Sequence, residues 1–333
     1  MATQINPKLA RLWLADNIRQ YGYRNPLKLH ALTEAELRLL DYLEAGITCS
    51  QLAALPKIAR IEEGAARELI RRLGPALMSS DKLPPDLTKA QIDIKFAEIS
   101  RLFSVNANFD VALDRRRSAR IFIEELGRTG LVLAKALAAS EIGTLLTLDQ
   151  VRVGPKDCLP LGHSKTSIGQ PRALSAKSQL ETTRLEFHSR RTSALEKVSV
   201  AVLISDDIVN PHSYQPWMAR DVPHLAMCFD EEGVEISPLV FPGETPCLGC
   251  REKARFDADS SWSTIAPQLL AIDRSNQESA MVLFATGVVT NQILNFVDES
   301  KRLDNRTLRL DRNGSLLAFQ ASTSHCGCGG APL

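Results

Sequence analysis

The chain has 333 residues, a formal net charge of +1, and hydrophobic and charged contents of 44% and 24%. This composition is ordinary for a globular protein, and the length is sufficient for two domains. The near-neutral charge argues against bulk attraction to nucleic acid or to an anionic membrane surface. No apolar run approaches the ~20 residues of a membrane-spanning helix, and the N-terminal residues lack a signal-peptide pattern. The seven cysteines, an odd number, fit a reducing compartment better than a disulfide framework. We therefore expect a cytoplasmic protein without a membrane partner.

Residues 1–85 have the pattern of a small separate unit that begins with a hairpin. The two strands are predicted at residues 11–14 and 18–21, split by Ala-Asp-Asn. Three short helices are expected to follow, and capping boxes at Thr33 and Thr48 open the first two. A hairpin with three short helices is the inventory of a winged helix, a fold that binds either nucleic acid or a peptide or protein.

The third predicted helix, Glu62–Leu73, decides between these two uses. DNA binding requires Lys and Arg along this helix, but its three arginines are diluted by Glu62, Glu63 and Glu68. The sequence therefore favours docking of a peptide or protein, or plain structural packing, over nucleic-acid binding. We also expect Pro56 to end the second helix. The apolar positions expected to face inward from the third helix are Ala65, Leu69, Ile70 and Leu73.

A different pattern begins near residue 115, after a linker helix region at residues 86–114. A short apolar strand at residues 119–123 is followed by a glycine turn with Gly127 and Gly130, and then by an Ala- and Leu-rich helix. A second strand ends at Asp149. This order is the first half of a dinucleotide-type unit, with phosphate at the helix N-terminus and a carboxylate on the ribose.

Two further segments extend the predicted sheet. The turn Ile168–Arg172 is expected to lead into a helix that runs to about Leu185. Residues 198–204 form a near-continuous apolar run, as in a central parallel strand, which ends at Asp206 and Asp207. Either carboxylate could hold a magnesium ion with substrate phosphates, and a helix cap or a solvated loop is an alternative use of both.

Four cysteines near the end of the chain are spaced as metal ligands. Cys247 and Cys250 form a Cys-x-x-Cys pair, and Cys326 and Cys328 form a Cys-x-Cys pair. Four thiolates suit a structural zinc, and His325 could replace one of them. A redox Cys-x-x-Cys is the alternative, but we expect this pair to follow a Pro-Gly-x-x-Pro loop without opening a helix, which favours zinc. The other cysteines, Cys49, Cys158 and Cys228, are expected to be inert thiols.

Between and beyond these cysteines, three further elements are predicted. An antiparallel hairpin is expected at residues 224–229 and 234–240, and a helix at about residues 278–297. A second hairpin is expected at residues 307–310 and 316–320, around the turn signal Asn313-Gly314.

Taken together, the glycine turn, Asp149, the Ile-Gly-Gln-Pro-Arg segment, Asp207 and the cysteine frame resemble the ThiF-type adenylating family of thiamine and molybdenum cofactor biosynthesis, related to ubiquitin-activating enzymes. The resemblance covers roughly residues 115–330, within a predicted domain of residues 115–333. It implies an α/β, Rossmann-like fold with a mostly parallel sheet and a structural zinc, behind the winged-helix-like N-terminal domain. Active members use ATP and magnesium to adenylate the C-terminal glycine of a small carrier protein. The resemblance assigns Gly127, Gly130 and Asp149 to the nucleotide and Asp207 to magnesium.

The chain departs from the family pattern at positions that carry the chemistry. Glu125 replaces the first glycine of the turn, where a carboxylate adds bulk and negative charge. The arginine that meets the triphosphate is absent, and Lys156 is the only nearby cation in the sequence. Arg172 stands where the family has a lysine, which keeps the charge and changes the donor geometry. The adenylation machinery is therefore expected to be damaged.

A second resemblance includes the N-terminal unit. This unit, the degenerate adenylating fold behind it, and the segments Pro246–Arg251, Asp259–Trp262 and Gln268-Leu269 resemble the partner proteins of azoline-forming cyclodehydratases. In that group the N-terminal unit holds the leader segment of a precursor peptide, and ATP chemistry belongs to the partner enzyme. The resemblance implies a peptide added as a strand near residues 12–21. It also implies a cyclodehydratase-type partner, and the adenylating family usually forms homodimers.

Three functions remain open from the sequence. A non-catalytic peptide- or protein-binding scaffold is favoured. The second is an active adenylyltransferase, in which Asp149 holds ribose, Asp207 magnesium, and Arg172 with Lys156 the phosphates. No cysteine clearly fits a thioester nucleophile for this adenylyltransferase. Cys158 and Cys228 are candidates only because the zinc site would take four of the other cysteines. The third is a DNA-binding or purely structural protein.

Overall fold

The computed structural model describes residues 2–6, 8–79, 102, 109–180, 183–188, 195, 197–299, 306–320 and 326–329. The chain divides into two compact units, Met1–Leu113 and Asp114–Leu333. Most of the predicted linker, residues 86–101 and 103–108, lies outside the described residues.

The first unit contains two small antiparallel sheets and three helices. Strand order is β5-β1-β6 in one sheet and β2-β3-β4 in the other. Its elements are β1 (Ala2–Ile5), β2 (Arg11–Ala15), β3 (Ile18–Tyr21), β4 (Leu27–Leu29), α1 (Glu34–Ala45), β5 (Ile47–Thr48), α2 (Cys49–Ala59), α3 (Glu63–Leu73) and β6 (Leu77–Ser79). The predicted hairpin is confirmed, because β2 pairs antiparallel with β3.

The helix starts of this unit follow from local chemistry, and one predicted helix end is wrong. The side chains of Thr33 and Thr48 accept the backbone N–H three residues on, and a Glu or Gln side chain there accepts the N–H of the cap, so both capping boxes are confirmed. Helix α2 continues through Pro56 and ends at Arg60, which has a left-handed backbone with φ +53°. In α3, Ala66 is buried in place of the predicted Ala65. The winged-helix arrangement stays a prediction.

The second unit is built on one eight-stranded sheet of order β14-β13-β12-β11-β10-β7-β8-β9. The five strands from β11 to β9 are parallel neighbours, and β12, β13 and β14 continue the sheet antiparallel. The predicted mostly parallel sheet is thereby confirmed. The strands are β7 (Arg120–Ile123), β8 (Thr144–Thr147), β9 (Arg184–Phe187), β10 (Val200–Asp206), β11 (His224–Asp230), β12 (Gly233–Ile236), β13 (Arg306–Asp311) and β14 (Leu316–Gln320).

Helices cover both faces of this sheet. They are α4 (Phe109–Ser118), which begins before the division between the units, α5 (Arg128–Ala139), α6 (Arg172–Lys177), α7 (Pro211–Met218), α8 (Leu248–Ala258), α9 (Trp262–Ala271) and α10 (Ser279–Glu299). The expected long helix after Arg172 is wrong: α6 ends at Lys177, and Arg184–Phe187 form β9, parallel to β8. Charged and apolar residues alternate in this segment, which is the period of a strand.

Helix α10 corrects the expectation that no segment is long and apolar enough to cross a membrane. Residues Ser279–Asp298 meet that criterion by length and composition among the described residues. Val282, Ala285, Val289 and Ile293 in this helix are fully buried in the core between α5, α10 and the sheet. Its apolar character is therefore accounted for by packing inside the second unit.

A buried ion pair joins the C-terminal part of α4 to the end of α10. Arg116 Nε and Nη2 donate to the two carboxylate oxygens of Asp298 at 2.6 Å each, and neither side chain is exposed. Arg116 Nη1 also donates to the carbonyl of Ser140 at 3.1 Å. The pair fixes the C-terminal ends of α10 and α5, because each buried charge requires its partner.

We expect Asp298→Ala to lower the free energy of unfolding by about 3–5 kcal/mol, since it leaves a buried guanidinium without a counter-charge. Urea denaturation followed by circular dichroism measures the change. Glu63→Ala, which removes an ion pair on the surface of α3, is the control and should leave the midpoint unchanged. A stability of Asp298→Ala equal to that of the control would contradict the role given to this pair.

Candidate nucleotide-type cavity and metal centre

The carboxyl ends of β7, β8 and β10 meet at one edge of the sheet because these strands are parallel neighbours. The turn with Glu125 and Gly127 follows β7, Asp149 follows β8, and Asp207 follows β10. The topology therefore gathers the predicted residues at the position where open α/β sheets bind ligands.

Gly130 is required by the close contact between α5 and the preceding turn. A Cβ atom at this position would lie 1.8 Å from the carbonyl oxygen of Glu125. The space beside Gly127 is filled differently, because its Cβ would lie 2.4 Å from the carboxylate of Glu125. The Gly127 N–H donates to that same carboxylate, Oε2 of Glu125, at 2.8 Å. A side-chain anion thus occupies the amide that opens the helix.

Arg172 is the centre of the charged contacts in this turn. Its guanidinium donates to both carboxylate oxygens of Asp157, from Nε at 3.0 Å and from Nη2 at 2.8 Å. Nη1 lies 3.2 Å from Glu125 Oε2 and 3.5 Å from Asp149 Oδ2. Three carboxylates therefore surround one guanidinium that is 9% exposed. The N–H groups of Arg172, which the sequence analysis assigned to the phosphates, therefore donate to the protein's own carboxylates.

Asp149 is held by the backbone around it. Its two carboxylate oxygens accept the N–H of Leu126 at 2.7 Å and that of Val151 at 2.8 Å. The side chain is 2% exposed. In this structure Asp149 fixes the turn after β7 against the loop after β8.

Glu125 is in an environment that opposes its ionisation. Burial raises the pKa of Glu125 to about 7, against the opposing effect of Arg172 and the Gly127 N–H. Its side chain is 24% exposed, and its Oε1 has no hydrogen-bond partner in the described part of the chain. The carboxylate is therefore poised between its neutral and charged forms near neutral pH.

The two aspartates at the end of β10 are both held by the segment Arg274–Gln277, and Asn276 donates to each of them. Asp207, with a left-handed backbone (φ +62°), accepts two hydrogen bonds from Arg274, from Nε at 2.9 Å and from Nη2 at 2.8 Å. Asp206 accepts the N–H of Asn276 at 2.7 Å and Gln277 Nε2 at 3.0 Å. Asp206 lines the cavity beside the glycine turn, whereas Asp207 lines a neighbouring one.

The cavity beside the glycine turn has a volume of about 290 Å³ and mostly charged walls. Its ionisable lining residues are Glu125, Asp157, Asp206, Asp273, Arg128, Lys156, Arg172 and Arg274. The fold therefore brings two further cations, Arg128 and Arg274, to the cavity that Lys156 and Arg172 line. Arg128 has no hydrogen bond to another described residue, and Lys156 lies 3.2 Å from Asp273. Arg128 is the first residue of the helix after Gly127, so its position near the cavity could have been predicted from the sequence. Arg274 reaches the cavity only through the tertiary fold.

The cysteine cluster joins the start of α8 to the segment Cys326–Cys328. The Cys247 Sγ is 3.4 Å from that of Cys326, and the Cys250 Sγ is 3.6 Å from those of Cys326 and Cys328. The four sulfurs all lie within 4.8 Å of one another, close enough to hold one metal ion. The expectation that the Cys-x-x-Cys does not open a helix is wrong, since Cys247 is the N-cap of α8. His325 lies outside the described residues.

The donor geometry fits a tetrahedral ion. Four sulfurs at ~2.3 Å from zinc are about 3.8 Å apart, and the Cys247–Cys250 separation is 4.0 Å. Gly327 between the last two cysteines has φ +92°, a backbone that permits both thiols to turn inward. Burial raises the pKa of the thiols of Cys247 and Cys250, so their thiolates need a bound cation. A closed set of four thiolates suits a soft cation in tetrahedral coordination.

The remaining cysteines lie apart from this cluster. Cys228 is 2% exposed, and burial raises the pKa of its thiol. Cys158 is half-buried, with its thiol 3.5 Å from the carbonyl of Gly154. The side chain of Cys49 lies outside the described residues. The raised pKa of the Cys228 thiol is the opposite of what a thioester nucleophile needs.

This combination of a glycine turn, carboxylates at parallel strand ends and a cysteine frame belongs to a mixed α/β fold of the adenylating type. Among solved structures, E. coli MccB with AMPCPP and MccA has a TM-score of 0.70 at 13% identity, covering 98% of this chain and 99% of that chain. E. coli MccB with ATP gives 0.68 at 14% identity over 98% and 99%. PaaA gives 0.61 at 16% identity over 78% and 91%. At these identities the likeness establishes the fold alone.

Sequence-level comparisons add no family. No protein-family model matches the chain. No curated protein matches it either.

We expect the purified protein to contain one zinc ion per chain by elemental analysis, and Cys250→Ser to lose it. Because the metal joins α8 to the segment Cys326–Cys328, that variant should also unfold at a lower temperature. Cys158→Ser is the matched control and should keep both the metal and the melting temperature. Protein without stoichiometric metal, or full metal content in Cys250→Ser, would contradict a four-thiolate site.

Proposed function

We propose that this protein is a ThiF-type scaffold that binds a peptide or protein segment and whose nucleotide cavity is satisfied by its own side chains. The observation that carries the proposal is the position of Glu125. Its carboxylate accepts the Gly127 N–H and pairs with Arg172. Those are two groups that would face a phosphate at a helix N-terminus.

The electrostatics of the cavity support the same conclusion. Adenylyl transfer depends on positioned cations that stabilise the charge developing on phosphate. Here Arg172 is held by Asp157, Lys156 by Asp273, and Arg274 by Asp207. A triphosphate would have to displace these carboxylates and would meet their negative charge. Binding of nucleoside triphosphate is therefore disfavoured by the pairing as well as by Glu125.

The peptide-binding role rests on the edge strand β2. Among the described strands β2 pairs only with β3, and its outer edge keeps its backbone groups available. Leu12, Trp13 and Leu14 in this strand are exposed, Trp13 and Leu14 by 59% and 52%. An extended segment can add to such an edge through main-chain hydrogen bonds and place apolar side chains against these three. E. coli MccB, crystallised with MccA, supports a partner of this kind.

Three further features belong to the proposal. The metal in the cysteine cluster is zinc with a structural role. The bound segment is the leader of a precursor peptide, and a cyclodehydratase-type enzyme supplies the ATP chemistry. The protein works in the cytoplasm as a homodimer. The likeness to a microcin C7 biosynthetic enzyme supports the peptide-modifying context.

The second candidate is an active adenylyltransferase that activates a peptide or carrier carboxylate. It is favoured by the solved MccB structures that contain ATP or AMPCPP and by Arg128, a buried cation that lines the cavity. In this reading Asp149 holds ribose, Asp207 magnesium, and Arg172 with Lys156 the phosphates. Asp207 would first have to release Arg274.

We expect isothermal titration calorimetry with ATP and magnesium to give a dissociation constant above ~1 mM for the wild-type chain. The dissociation constant of Glu125→Gly should stay above the same limit, because Arg172 keeps its two hydrogen bonds to Asp157. Pyrophosphate exchange should be absent in both proteins. Exchange in the wild type that is abolished by Asp207→Ala would establish the active candidate and overturn the scaffold.

The peptide-binding role predicts that peptides selected from a random display library on the full chain bind at β2. Leu14→Ala should weaken their binding about tenfold, as truncation of an apolar interface contact does. Leu174→Ala removes an equally exposed leucine from α6 and is the control. Fluorescence polarisation of the labelled peptides measures both. Equal affinities for the two variants would place the peptide elsewhere.

A further inference from the structure

A larger cavity, with a volume of about 570 Å³, lies between helix α8 and the antiparallel part of the large sheet. It shares no lining residue with the cavity beside the glycine turn. The helix contributes Leu248, Arg251, Ala254 and Arg255 to its wall, at the spacing of one helical face. The volume is in the range of small-molecule binding sites.

One face of strands β12, β13 and β14 forms the opposite wall. Glu235 pairs with Arg309 between β12 and β13, and Thr307 pairs with Phe319 between β13 and β14. All four side chains share this face, because residues 307 and 309 are two positions apart in one strand. Glu235, Thr307 and Phe319 line the cavity. The helix presents the small side chain of Ala254 to the same space, which therefore stays open.

Apolar side chains make up much of the remaining wall. Val240, Pro246 and Leu248 line the cavity together with Phe319. Phe319 is 44% exposed, so its ring has apolar surface that a ligand can cover. Removing such surface from water is favourable in proportion to its area. The cavity therefore favours a ligand with an apolar body.

The charges on the cavity walls are unequal. Two guanidinium groups, those of Arg251 and Arg255, and one carboxylate, that of Glu235, line it. Arg251 is paired with Glu235, with its Nη1 2.9 Å from Oε1. Arg255 Nη1 donates to Glu252 at 3.2 Å, whereas its Nη2 is 3.7 Å from Glu235, beyond hydrogen-bond distance. Glu252 does not line the cavity, so the wall carries one positive charge in excess.

We propose that this cavity binds a small organic acid with an apolar body. The Arg255 guanidinium, 26% exposed, donates to the carboxylate of the ligand. The apolar body packs against Leu248, Val240 and Phe319. A cationic ligand is disfavoured, because the carboxylate that would attract it, Glu235, is already paired with Arg251. The inference goes beyond the proposed function, and it uses neither the nucleotide residues nor strand β2.

Isothermal titration calorimetry of the full chain with octanoate, octanol and octylamine tests the ligand class, because these probes differ only in the head group. Octanoate should bind at one site per chain, about tenfold more tightly than octanol or octylamine. Hexanoate, which is shorter by two methylenes, should bind about tenfold more weakly than octanoate. Equal affinities for the three head groups, tighter binding of octylamine, or no saturable binding of octanoate would overturn the proposal.

Two variants locate the site with the same titrations. Arg255→Met should weaken octanoate binding about tenfold and leave octanol binding unchanged, since it removes the charge and keeps an apolar side chain. Ala254→Trp should abolish the binding of both probes, because the indole fills the cavity. Ala65→Trp, at an exposed alanine of α3, is the matched control and should bind both as the wild type does. Octanoate binding that persists in Ala254→Trp, or that Arg255→Met leaves unchanged or weakens no more than octanol binding, would place the ligand elsewhere.

Discussion

The guanidinium of Arg172, held among Asp157, Glu125 and Asp149, is the contact on which the carboxyl edge of the sheet depends. It joins the turn after β7, the loop after β8 and helix α6 through one buried charge. A buried ion requires a full set of partners, and so does each carboxylate around it. The segments that would surround a nucleotide are thereby locked to one another by charges that belong to the protein itself.

The same contact separates what the fold requires at this turn from what a bound nucleotide would require. Gly130 still permits the close approach of α5 to the turn, so the packing of that helix on the sheet is intact. Glu125 supplies an internal anion at the amide where an external phosphate would bind. Fold and reaction make different demands on the turn, because packing needs only small size whereas catalysis needs uncompensated positive charge.

Two long-range connections hold the second unit together in a similar way. The Arg116–Asp298 pair ties the C-terminal part of α4 to α10. The cysteine cluster ties the first turn of α8 to the segment after β14. Both connect elements that are far apart in the chain, so each stabilises the fold more than local contacts of equal strength. The strands β12, β13 and β14 extend the parallel part of the sheet with antiparallel pairs.

The sequence by itself determined the elements whose signals are local. Capping boxes at Thr33 and Thr48, the apolar run before Asp206 and the spacing of the four cysteines each depend on neighbouring residues, and the structure bears out each of them. Local patterns failed in two places. The helix predicted after Arg172 ends early, and Arg184–Phe187 form a strand instead. The Cys-x-x-Cys pair lies at the start of a helix that was not predicted. Only the tertiary structure decided the electrostatics of the cavity. Arg274 is 67 residues from Asp207 in the chain, and the pairing of Arg172 with three carboxylates depends on how separate strand ends meet, which no local pattern encodes.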